Sequence, residues 1–119
     1  MTSKSLNLKL VAAFPELEQA YREQTEWQEG DETGSHVVYE DVLVPVMRML
    51  IKSGNYQNVQ KYTDFLEELL ALDDEYAANV IAVSVIENIF FDNIDKKAFK
   101  ALLGQKCSAI WDGYEATEG

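Results

Sequence analysis

Apolar side chains recur every three or four residues along almost the whole chain, a spacing that predicts helices rather than strands. Ser3 or Ser5 caps a short first helix carrying Leu6, Leu10 and Ala13. Pro15 suits the first position of a second helix, with Leu17, Ala20, Tyr21 and Trp27 as its buried stripe. Residues 28–36, with two glycines and no apolar side chain, read as a flexible loop. Val37, Val38, Val42 and Val44 would suit a strand, but the stretch does not alternate. Tyr39, Val42, Leu43, Val46, Met47, Leu50 and Ile51 instead step along one helix face, which Pro45 interrupts or kinks. Gly54 marks the stop after Lys52.

The periodicity is clearest from Tyr56 to Leu72, where Val59, Tyr62, Phe65, Leu66, Leu69 and Leu70 form a stripe. Asp73 or Asp74 ends that helix and caps the next, so the two are antiparallel neighbours. Residues 75–91 are apolar on nearly every side, which places this helix at the centre of the molecule. Ser84, Glu87 and Asn88 mark its exposed edge. Asp95 caps a short helix, Lys96–Leu103, that ends at Gly104. A last helix runs from Gln105 to about Trp111, and residues 113–119 read as a frayed tail. The expected fold is all-α: one domain, residues 1–119, built as a bundle of about five to seven helices around the central apolar helix. A chain of 119 residues with 47% hydrophobic content builds such a core without metal or disulfide.

Charge constrains function more than any motif does. Twenty-one acids against ten lysines and arginines give a net charge of −11. Such a surface repels phosphate backbones and anionic membranes and favours a cationic partner. It also simply aids solubility. The acids cluster: Glu16, Glu18, Glu23, Glu26, Glu29, Asp31 and Glu32 in one stretch, Asp64, Glu67, Glu68, Asp73, Asp74 and Glu75 in another. Residues 96–106, by contrast, carry Lys96, Lys97, Lys100 and Lys106 and no acid. The single cysteine, the lack of an apolar leader and the lack of a run near the roughly 20 residues of a membrane span predict a cytoplasmic protein.

Candidate chemistry is sparse. His36 lies at a loop edge, with Glu40 one helical turn on, and reads as a cap or loop histidine. His36 and Cys107 together offer too few ligands for zinc. Cys107 sits beside Ile110 and Trp111 and reads as a buried structural cysteine. Asp73, Asp74 and Glu75 lack the spacing of a calcium loop and suit a helix junction. No phosphate-binding or nucleophile-elbow motif occurs. No cofactor and no catalytic group is expected.

The segments Phe14-Pro15-Glu16-Leu17, His36-Val37-Val38-Tyr39-Glu40-Asp41-Val42, Phe65-Leu66-Glu67-Glu68, Asp73-Asp74-Glu75-Tyr76 and Val83-Ser84-Val85-Ile86-Glu87 resemble a family of small acidic helical bacterial domains. Members of that family have no assigned activity, and some look like immunity proteins of contact-dependent or polymorphic toxin systems. The likeness spans Phe14 to Trp111 and rests mostly on packing patterns. It implies a helical cytoplasmic protein that binds and neutralises one toxin domain, and it supplies no catalytic residues. A nuclease toxin would present a basic cleft, which an acidic surface would occlude. The expected contact residues are Glu26, Glu29, Asp31, Glu32, Glu40, Asp41, Asp64, Glu67, Glu68, Asp73, Asp74 and Glu75. One alternative is an adaptor that binds its partner through an apolar groove. Another is an enzyme built on His36, Glu40 and Glu87.

Overall fold

The computed structural model describes residues 1–118 and is helical throughout, with no strand among them. Helix α1, Ser3–Ala13, starts at a capping box in which Thr2 rather than Ser3 or Ser5 is the cap and Ser5 is its reciprocal partner. A 3₁₀ turn at Pro15–Leu17 leads into α2, Glu18–Thr25. The buried stripe here is Leu17, Tyr21 and Thr25, each four residues from the last. The tight turn sets that phase, so Ala20 falls outside the stripe. Trp27 lies beyond the helix end and is 74% exposed, which corrects its expected place in the core.

Helix α3 is continuous from Ser35 to Lys52: an α turn at Ser35–Val38, a π-helical segment at Tyr39–Leu43, then α-helix at Val44–Lys52. Pro45 is absorbed without a break. It follows directly on the wider π turns, which relieve the clash its ring would make with the carbonyl four residues back. Helix α4, Tyr56–Leu70, buries the whole predicted stripe. Asp73 then turns the chain in the left-handed region, at φ 55°, and Asp74 caps α5 by accepting from the Ala77 amide at 2.9 Å.

Helix α5 comprises Glu75–Val80, a π segment Ile81–Ile86 and Glu87–Phe90. It is the central helix, packed against α3, α4 and the last helix. Its exposed edge is Glu75, Asn79 and Val83, not Ser84, which is buried. The π turns shift the register, and Ser84 faces α3, where its Oγ lies 2.6 Å from His36 Nδ1. Asp95 caps the short α6, Lys96–Lys100, as expected. Helix α7, Gln105–Glu118, runs well past Trp111. The described part of the expected tail, residues 113–118, is therefore helical, and Gly119 lies outside the described residues. Tyr114 donates to the Ala82 carbonyl at 3.0 Å, and Lys100 pairs with Asp112 at 2.9 Å and Glu115 at 3.2 Å. These bonds tie the α7 extension to α5 and α6.

Trp111, Phe99 and Phe90 form an aromatic group at the α5–α7 contact, with Cys107 fully buried on the same helix as Trp111. Burial, then the neighbouring Glu67 carboxylate, pushes the Cys107 thiol up to about 12, so it stays protonated and unreactive.

Candidate functional site

Half of the twelve expected contact acids already have internal partners. Glu67 accepts from the amides of Lys106 at 2.8 Å and Cys107 at 2.9 Å, and so caps α7 from the side of α4. Burial works against its charge, but these amides outweigh it and hold the carboxyl below the usual range. A Cβ at Gly104 would meet the Glu67 carboxyl carbon at 2.6 Å, so a larger residue there would push this cap aside. Asp74 caps α5. Asp31 accepts from the Tyr21 hydroxyl at 2.8 Å, Asp41 from Gln24 at 3.0 Å and Asp64 from Gln60 at 2.8 Å. Glu40 accepts a long bond from Asn88 at 3.4 Å.

Glu26, Glu29, Glu32, Glu68, Asp73 and Glu75 differ. All are exposed, and among the described residues none has an internal hydrogen-bond or ion-pair partner for its carboxylate. Helix α1 touches the Glu26–Glu32 segment on one flank and the groove that holds Glu68 on the other, while Glu75 lines a separate cleft with Tyr76 and Asn79. On one flank, Asn7 donates to the carbonyls of Asp31 at 3.1 Å and Thr33 at 2.7 Å. On the other, Lys9, Ala12 and Ala13 share a groove with Phe65, Glu68, Leu69 and Leu72 of α4 and the turn after it. Asn7 and the groove residues Lys9, Ala12 and Ala13 lie on different sides of α1, so Glu68 and the Glu26–Glu32 segment do not share one face of that helix.

The Glu26–Glu32 segment is built on a fixed support. Residues 28–36 contain a 3₁₀ turn at Gly30–Glu32, and a buried polar network holds the segment. Asn7 Oδ1 accepts from Ser35 Oγ at 2.7 Å, and Ser35 Oγ also donates to the Ser3 carbonyl at 3.1 Å. The Tyr76 hydroxyl accepts from the Ser35 amide at 3.3 Å and lies 2.7 Å from Ser3 Oγ. Gly30 takes φ 59°, a left-handed turn that favours glycine. Beside this turn a cleft of about 300 Å³ is lined by Tyr21, Arg22, Thr25, Glu26, Gly30 and Asp31. Burial, reinforced by Asp31, raises the Tyr21 hydroxyl far above its ordinary value, so it remains a donor.

Trp27 was missed as a surface residue. The signal was present: it lies past the last stripe position, between Glu26 and Gln28, where no apolar neighbour accompanies it. An indole this exposed is the feature of this surface that internal packing does not explain.

His36 and Glu40 are linked through Ser84 and Asn88 of α5, with no direct bond between them. Asn88 donates to both Glu40 and the Ser84 carbonyl, and Ser84 meets His36. Glu87 makes no bond to this group. The clefts beside the Gly30 turn, along Pro15–Glu26, at Glu75–Asn79, between α1 and α4 and beside Tyr62 are lined by none of His36, Glu40 and Glu87. Among the described residues no cluster of three or more His, Cys, Asp or Glu is arranged to hold a metal ion. No helix among them is long and apolar enough to cross a membrane.

Residues 7–118 match a domain family described as a domain of unknown function (DUF7674). No curated protein and no solved structure was found to match the chain.

Proposed function

We propose, for a chain that belongs to the DUF7674 domain family, that it is a binding protein rather than an enzyme, and that its partner is a basic protein surface. The observation that carries this is Trp27, 74% exposed on an anchored turn beside three carboxylates, Glu26, Glu29 and Glu32, that bond to nothing internal. Tryptophan is the side chain most enriched at binding hot spots, and its ring face attracts arginine and lysine. The acids steer a cationic partner in, and the indole holds it once bound. Because the turn is tied to α1 and α3, little order has to be imposed on binding, which lowers the entropic cost.

The resemblance to immunity proteins names the class of partner: a secreted toxin domain, with a nuclease as the best fit because its cleft must hold phosphate. The protein would then act in the cytoplasm of the producing cell by occluding that cleft. The test is co-purification with the toxin encoded beside it, together with protection of cells expressing that toxin. The wild-type chain should co-purify and protect, and Glu26, Glu29 and Glu32 reversed together to lysine should do neither. Glu67 and Asp74 are left unchanged in that variant, since both are helix caps. Protection by the reversed variant equal to wild type would remove the charge argument.

A further inference from the structure

The groove between α1 and α4 is the other unexplained surface. It has a volume of about 440 Å³, and its floor and walls are Ala12, Ala13, Phe65, Leu69 and Leu72. Leu72 is 53% exposed, and Leu8, one helical turn before Ala12 on α1, is 40% exposed. The apolar strip therefore continues from the groove over the outer side of α1. The two lips carry opposite charge: Lys9 on the α1 side and Glu68 on the α4 side. Neither has a partner within ion-pairing distance among the described residues.

This asymmetry selects the occupant. A uniformly basic partner would meet Lys9, and a uniformly acidic one would meet Glu68. A second copy of the chain, related by a two-fold axis lying along the groove, sets Lys9 of each protomer against the partner copy's Glu68-bearing lip. Both ion pairs then form while the two Leu72 and Ala12 strips close on each other. We infer that the α1–α4 groove is a self-association surface that forms a symmetric dimer. The local charge balance at the lips matters because the whole chain, at −11, repels its copy; that longer-range repulsion is screened beyond about 8 Å at physiological salt. The dimer would bury Glu68, and because none of Glu26, Trp27, Glu29 and Glu32 lines the groove, Trp27 would stay free on each protomer. Self-association and partner binding are thus compatible and are separable by mutation.

Sedimentation equilibrium from about 10 μM to about 1 mM, the range of weak interfaces, tests this. The wild type should pass from monomer to dimer within that range, and Leu72→Glu should remain monomeric throughout. Lys9→Glu and Glu68→Lys should each weaken the dimer about tenfold, and the double exchange should restore it. Trp27→Ala should dimerise as wild type does, so this result is independent of the partner surface. Circular dichroism melting confirms that the variants are folded, and Ala12→Glu replaces Leu72→Glu if the latter is not. A monomeric wild type throughout, a dimer indifferent to Leu72→Glu and Ala12→Glu, or single reversals that the double exchange does not repair would each overturn the inference.

Discussion

Glu67 shows how a single acid can be read wrongly from composition. It sits in an acidic run, yet its carboxylate closes two free amides at the start of α7. Glu67→Ala should therefore cost about 1–2 kcal/mol in urea unfolding, the range of a lost helix cap. Gly104→Ala should cost a similar amount, because its Cβ would displace the same carboxylate. Since both changes remove one interaction, the double variant should cost little more than either alone. Full additivity would mean that the cap is not the shared cause. The charge on Glu67 also links stability to pH. Its folded-state carboxyl titrates below the ordinary value of 4.5, so its contribution is complete above that value and disappears as pH falls through the lower folded one. The wild type should thus lose more stability than Glu67→Gln between neutral pH and acid, with the difference opening below about 4.5. Comparing the two proteins cancels the general relief of repulsion as the other carboxylates protonate.

At the scale of elements, the paired π segments of α3 and α5 decide which residues are inside. Ser84 is in contact with His36 at the helix crossing, while Val83, an apolar residue beside it, is 44% exposed. Ser84→Ala should consequently cost about 1 kcal/mol, the usual worth of such a hydrogen bond, and Val83→Ala should cost less than about 0.5 kcal/mol. A larger cost at Val83 would place the register elsewhere. The helices themselves were legible in the sequence because apolar spacing of three and four residues needs no tertiary information. The stripe of α4 and the Asp74 and Asp95 caps follow directly from it. What was not legible depended on packing between elements. Widened turns shift every later side chain by a fraction of a turn, and no local pattern announced them before Ser84. Trp27 lies outside because α2 ends at Thr25, a stop that apolar spacing alone does not show. The extension of α7 meets residues of other helices, Tyr114 donating to the Ala82 carbonyl and Lys100 pairing with Asp112 and Glu115, which no local pattern shows.

Across the whole molecule, α1 lies between the Glu26–Glu32 segment and the groove that holds Glu68. The Glu26–Glu32 part carries an exposed indole and rests on a buried polar network. Glu68 lines an apolar groove whose opposite lip carries Lys9. Net charge alone does not separate these surfaces, but side-chain partnership does, because only carboxylates without an internal bond are free to meet another protein. The account's central claim is that partner binding is concentrated at Trp27 and its three free acids. Calorimetric titration of the proposed basic partner tests it most directly, using wild type, Trp27→Ala and the triple lysine variant at low and high salt. Trp27→Ala should weaken binding about 30-fold at both salt concentrations, as expected for a hot-spot aromatic. The triple variant should bind weakly and lose the salt dependence that the wild type shows. Equal affinity for all three proteins, or no complex with the wild type, would contradict the claim.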